Sequence, residues 1–214
     1  MMKDLYIFLE KLRVNNNKTW MDEHRAEYNQ VRDAYILWLD DLDARLAEID
    51  PSYDHTEGKR AIHRINNNLM FHPDRPTYKE HIGATMDRVK EKSDFYIHIG
   101  PEESFVAGGY YHPPSSILSK IREAIDYDGD VLQSILDEKR FKANFVLEQD
   151  LLKTSPKGFT QDHPHIKLLR YKSFAVMHTV TRQEVCHPDF QDKVVELYKV
   201  MMPFRDYLNR AVLY

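Results

Sequence analysis

The densest run of polar chemistry in the chain is Arg64-Ile65-Asn66-Asn67-Asn68, followed by Phe71-His72-Pro73-Asp74-Arg75-Pro76-Thr77-Tyr78-Lys79. On a strand, where successive side chains alternate between faces, Arg64, Asn66 and Asn68 would share one side. A guanidinium offers a fork of donors, and amides add neutral donors without cancelling its charge, so the row suits a carboxylate or phosphate oxygen. Asparagine is a poor strand former, and Ala61 to Phe71 is therefore either a weak strand or a turn. The competing reading is structural: the amides tie down an irregular loop while Arg64 pairs with Asp74 or another internal carboxylate.

Other familiar chemistries fail on spacing. Gly108-Gly109 lacks the third glycine of a dinucleotide fingerprint, and no glycine-rich loop runs into Lys-Ser or Lys-Thr. There is no Gly-x-Ser-x-Gly elbow, and Cys186 has only His187 nearby to activate it. His163-Pro164-His165 is the closest histidine pair but lacks a helical His-x-x-x-His with a neighbouring glutamate, so no metal site is assigned. His98 and His178 fall on expected strands, where hydrogen-bonded structural roles are commoner than ligand roles. No cofactor is identified.

Thirty basic against thirty-four acidic residues leave a net charge of −4, which argues against strong general affinity for a polyanion. A single cysteine excludes an internal disulfide, and a reducing, cytoplasmic setting is expected. No apolar run approaches the ~18–20 residues of a membrane span, and the first fourteen residues lack the apolar core of a secretory signal. No membrane partner is expected, and the oligomeric state is not readable.

These residues must be held by the elements around them. Leu5, Phe8, Leu9 and Leu12 have the spacing of a short amphipathic helix that stops at Asn15-Asn16-Asn17. A long helix is expected from Thr19, capped by Thr19 with Asp22, to Pro51, with Asp40, Asp41 and Asp43 on its solvated face. Phe95, Ile97 and Ile99 alternate with Tyr96 and His98, and Gly100-Pro101-Glu102-Glu103 turns into Ser104–Tyr111, an antiparallel hairpin. Helices return from Ser115, whose side chain is the expected cap, and again around Val131. A strand follows over Ser173–Val180, then a capping box at Thr181-Arg182-Gln183-Glu184, and a last helix that Pro203 should kink or break. The class is α+β, a central antiparallel sheet with helices from both ends of the chain packed around it. A single domain over 1–214 is expected: helices over 4–50, a sheet-rich stretch over 60–111, helices over 115–152, then a strand and C-terminal helices over 164–212.

Along these motifs the chain resembles domain-of-unknown-function family 2461. The likeness rests on Phe8-Leu9 and Leu12 before the asparagine run and Trp20, on the Arg64 to Lys79 block, on Gly108-Gly109-Tyr110-Tyr111, on Ile121-Arg122, on Pro156-Lys157-Gly158-Phe159, and on His163-Pro164 through Leu168-Leu169-Arg170-Tyr171-Lys172-Ser173-Phe174. The resemblance implies no reaction. Asn67 and Asn68 stand where the family pattern has Arg-Asp, Met70 stands for another arginine and Arg75 for a lysine, departures that favour binding over catalysis.

Three readings follow. The first is a pocket for a small phosphate- or carboxylate-bearing ligand, lined by Arg64, Asn66, Asn68, Lys79, Arg170, Lys172 and Tyr110, with Gly108 and Gly109 admitting close approach of the ligand. If chemistry occurs there, Asp74 and Tyr78 are the proton-transfer candidates. The second is a nucleic-acid or protein-binding module built on Tyr96, Tyr110 and Tyr111, disfavoured for nucleic acid by the net charge. The third is a buried polar network with no ligand at all.

Overall fold

The structure, a computed structural model, describes residues 1–213 of the chain. Its first helix, α1 (Met2–Val14), buries Leu5, Phe8, Leu9 and Leu12 almost completely, as their spacing requires. Each such side chain contributes roughly 1.5–3 kcal/mol of apolar burial. The three asparagines that follow do three different jobs. Asn15 donates to the Lys11 carbonyl at 2.9 Å and closes α1, Asn16 reaches far along the chain to Tyr78, and Asn17 accepts from the Trp20 amide at 3.0 Å and caps α2 (Lys18–Glu23). The helix expected to run unbroken from Thr19 is thus two. His24, bonded to the Trp20 carbonyl and stacked on the Trp20 ring, leaves helical geometry, and α3 (Arg25–Ile49) starts after it.

Asp43 is not on a solvated face. It is 8% exposed and accepts from the Tyr53 hydroxyl at 2.6 Å and the Thr56 amide at 2.7 Å, while its second oxygen lies 2.9 Å from His55 Nδ1. Asp40 likewise accepts from the Gly58 amide. Together they fasten the chain after Pro51 back onto α3 and start α4 (Gly58–Ala61), where a Cβ on Gly58 would collide with the Ile36 carbonyl.

Ala61 to Phe71 resolves into turns and single bridges: Ile62 pairs with Ala84, Asn66 with Tyr78, and the Lys79 amide bonds the Ile65 carbonyl. A full ladder fails because the Asn68 carbonyl closes a tight turn with the Phe71 and His72 amides and because Pro73 and Pro76 lack donors. Five antiparallel strands then form one sheet in the order β1 (Ile82–Met86), β2 (Asp94–Ile99), β3 (Ser104–Tyr110), β5 (Phe174–Thr179), β4 (Val146–Leu147). The β2–β3 hairpin and β5 match the alternation in the sequence; β1 and the two-residue β4 do not stand out there. Nine helices and this sheet make an α+β fold among the described residues.

The expected pair of helices from Ser115 is present: α5 (Ser115–Asp137) is two helices meeting at a kink, where Asp128 has non-helical geometry, and Pro114 rather than Ser115 holds the cap position, with no side-chain cap bond. Short α6 (Lys139–Asn144) and α7 (Ile166–Leu169) follow. The Thr181 capping box forms with Glu184 and opens α8 (Arg182–Val185). Helix α9 (Phe190–Leu213) runs on through Pro203. Proline removes the bond to the Lys199 carbonyl, and both residues are exposed, so water can satisfy that carbonyl where a buried one would break the helix. No helix is long and apolar enough to cross a membrane among the described residues.

The chain groups into two compact units. The first comprises Met1–Arg88, Tyr96–Val106 and Thr179–Val195; its core joins α1 to α3 and carries a stack of Tyr35, Trp38 and Phe190. The second comprises Val89–Phe95, Ala107–His178 and the chain from Glu196; its core holds Phe95 edge-on to Tyr198 and a Phe141, Phe145 and Phe204 cluster.

Candidate anion-binding cleft

In the first unit, Arg25, Tyr28, Arg32 and Ile36 recur every three to four residues along α3 and therefore share one stripe. Facing that stripe is the segment that Asp40 and Asp43 tether, and between the two lies an open cleft of about 890 Å³. Lys59, Ile62, His63, Arg64, Ile65 and Asn66 make its second wall, with Asp33 and Leu37 at the edge. Four cations line it against one carboxylate.

Two of those cations are shared with neighbours on the surface. Arg25 donates to Asp22 at 2.9 Å, and Arg32 donates through two nitrogens to Asp33 while its guanidinium lies 5.6 Å from the Tyr28 ring centroid. Such exposed pairs hold weakly, so either arginine can be recruited by a ligand. Lys59 and Arg64 make no ion pair among the described residues. The Lys79 ammonium donates to the Arg64 carbonyl at 2.7 Å, and its pKa is lowered first by burial and then by repulsion from Arg64 and Arg75. Cations crowded together without carboxylates are a local excess that an incoming anion relieves.

His63 stands in the cleft wall with Nε2 2.9 Å from the buried Thr85 hydroxyl. Burial lowers its pKa, and Lys79 and Arg88 lower it further, so the ring is neutral near pH 7. A second group sits in the same unit. His81 stacks on His98 at 4.1 Å, His98 stacks on Phe105 at 4.5 Å, and the Tyr96 hydroxyl is 3.3 Å from His98 Nδ1. Burial, with neighbouring cations or imidazole second, pushes His81 down to about 4 and His98 to about 3. Among the described residues no group of three His, Cys, Asp or Glu side chains is placed to hold a metal ion.

Arg64 and Asn66, singled out in the sequence, line this cleft; Lys79 touches it through the Arg64 carbonyl. Asn68 and Asp74 are exposed in the turn between Asn66 and Tyr78. Tyr78 is buried, its backbone held at both its amide and its carbonyl by the Asn16 side chain, at 2.9 and 3.0 Å. The remaining candidates lie in the second unit, where their polar atoms are already engaged. Arg170 donates to the carbonyls of Leu152 and Lys153, Lys172 pairs with Asp150 at 2.6 Å, and the Tyr110 hydroxyl donates to the Glu91 carbonyl. The space beside Gly108 is filled by Met201, and that beside Gly109, which has φ +114°, by the Phe174 carbonyl, so these glycines admit protein. Arg25, Arg32, Lys59 and His63 escaped the sequence reading. The signal for the first two was Arg25 and Arg32 at i and i+7 on the flank of Tyr28.

A model of the family described as conserved hypothetical protein (DUF2461) matches residues 4–207. No curated protein and no solved structure matches the chain.

Proposed function

For a chain that belongs to the DUF2461 family, whose description supplies no reaction, we propose from the geometry that the protein binds an organic anion bearing a phosphate or carboxylate group in the α3 cleft. The observation that carries this reading is the charge of the lining: Arg25, Arg32, Lys59 and Arg64 against Asp33 alone. Guanidinium forks suit phosphate and carboxylate oxygens in pairs. Size supports the organic part, since clefts of ~300–1,000 Å³ suit small organic molecules and 890 Å³ far exceeds an inorganic anion. Tyr28, Ile36, Ile62 and Ile65 would take its apolar portion, and the neutral His63 imidazole offers an acceptor for any proton the ligand carries.

Isothermal titration with phenyl phosphate at low ionic strength tests the reading. Saturable one-site binding, weakened about tenfold or more by Arg64→Ala with Lys59→Ala, is expected. Heat indistinguishable from dilution for the wild-type chain would end it.

A further inference from the structure

Between Asn66 and Tyr78 the chain turns at a tip, Leu69-Met70-Phe71, whose side chains are 38%, 84% and 71% exposed. Other exposed large apolar residues are isolated in sequence, as Leu37 and Tyr127 are; this is the one place among the described residues where three follow one another. Single exposed apolar residues are ordinary, but an unbroken apolar tip held away from the core is not. Nothing in the turn needs it for folding: the turn is closed by the Asn68 carbonyl accepting from the Phe71 and His72 amides and by the Asn66–Tyr78 bridge at its base.

The segment that carries the tip is basic. From Lys59 to Arg88 the chain carries six lysines and arginines against three carboxylates, a surplus of three in a protein whose net charge is −4. Of those carboxylates Asp87 is buried, Glu80 is drawn to Arg13, and Asp74 is exposed in the turn beside Arg75. Arg75, beside the tip, and Lys79, at its base, make no ion pair among the described residues.

We propose that this hairpin docks the protein onto an anionic lipid surface, with Met70 and Phe71 entering the headgroup and acyl boundary and Arg75 and Lys79 meeting the lipid charge. A few apolar side chains with adjacent cations suffice for reversible attachment to such a surface, each cation near it adding about fivefold in affinity. Three apolar side chains are too small a patch for a stable protein interface, which buries roughly 1,200 Å² or more. A second copy on the same face would bring together two 59–88 segments, each with a surplus of three cations, which like-charge repulsion opposes. The sequence points to no membrane partner because a spanning run is absent, and a three-residue tip lies far below that threshold. The inference is independent of the cleft, as neither tip residue lines it.

Flotation with phosphatidylcholine vesicles, alone or with about a third phosphatidylserine, tests it. The wild-type chain should float with the anionic vesicles only and be released by salt. Met70→Ser with Phe71→Ser should cut the bound fraction about tenfold, and Arg75→Ala several-fold, at unchanged melting temperature. Absence of flotation, equal flotation on neutral vesicles, or undiminished flotation of the double variant would each overturn the proposal. So would a wild-type dimer in sedimentation that the double variant dissolves, since the tip would then serve a second copy.

Discussion

The two units hold arginines and lysines of the same chemistry in opposite circumstances. In the second, Arg205 is 2% exposed and donates to the Ser93 carbonyl and hydroxyl and to the Tyr198 hydroxyl, while Arg122 spends its donors on the Leu169 and Tyr171 carbonyls. Arg170 and Lys172 are similarly committed. In the first unit, Lys59, Arg64 and Arg75 lie near one another in sequence with no carboxylate in contact, and Arg64 and Arg75 both crowd Lys79. A cation's role is therefore set by what its donors already hold: those bonded to backbone oxygen are framework, and those crowded by other cations are available.

The sharpest way to break that contrast is to remove a framework cation. Arg205→Ala should cost about 3 kcal/mol in chemical denaturation, because it empties a buried volume and leaves the Ser93 carbonyl without its donor. A loss under about 1 kcal/mol would refute the framework assignment. Next in size, Asp43→Ala should cost about 2 kcal/mol, since the Tyr53 hydroxyl and the Thr56 amide lose a buried acceptor. It should also loosen the 50–58 segment that forms the cleft wall, seen as faster hydrogen exchange at Thr56 and Gly58.

The buried imidazoles give a pH dependence. Their folded values, about 4 for His81 and 3 for His98, lie below the unfolded value near 6.5, so the unfolded chain binds more protons between these limits. Stability from these groups is complete above about pH 6.5 and is lost as pH falls towards 4, by up to about 1.4 kcal/mol per pH unit for each ring. His98→Gln should flatten the slope between pH 6.5 and 4.5. An unchanged slope would remove His98 from the account. Smallest are the exposed cations. Lys172→Ala, breaking a partly exposed pair, should cost at most about 1 kcal/mol, and Arg64→Ala under about 0.5 kcal/mol, both by thermal unfolding. The two should differ in ligand binding, which only Arg64→Ala weakens.

What the sequence disclosed is what local spacing can carry. The apolar stripe of α1, the Gly100–Glu103 turn between β2 and β3, and the Thr181 capping box all depend on neighbours within a few residues. The cleft depends on distant partners. Asn16 grips Tyr78 across 62 positions, and Asp40 and Asp43 reach 18 and 13 residues to the wall that carries Lys59 and Arg64. The aspartates resemble any charged helix face until those acceptors are placed, which is why Arg64 and Asn66 were visible as chemistry while Arg25, Arg32 and Lys59 were not. Arg170 and Lys172 looked equivalent to them because residue type does not reveal a bonded carbonyl.

The contrast between committed and available cations is tested most directly by nuclear magnetic resonance titration of the labelled protein with phenyl phosphate, following arginine and lysine side-chain signals. The expected result is saturable shifts at Arg25, Arg32, Lys59 and Arg64 with those of Arg122, Arg170 and Lys172 unmoved. Saturable shifts confined to Arg170 and Lys172, or none at any of them, would contradict it.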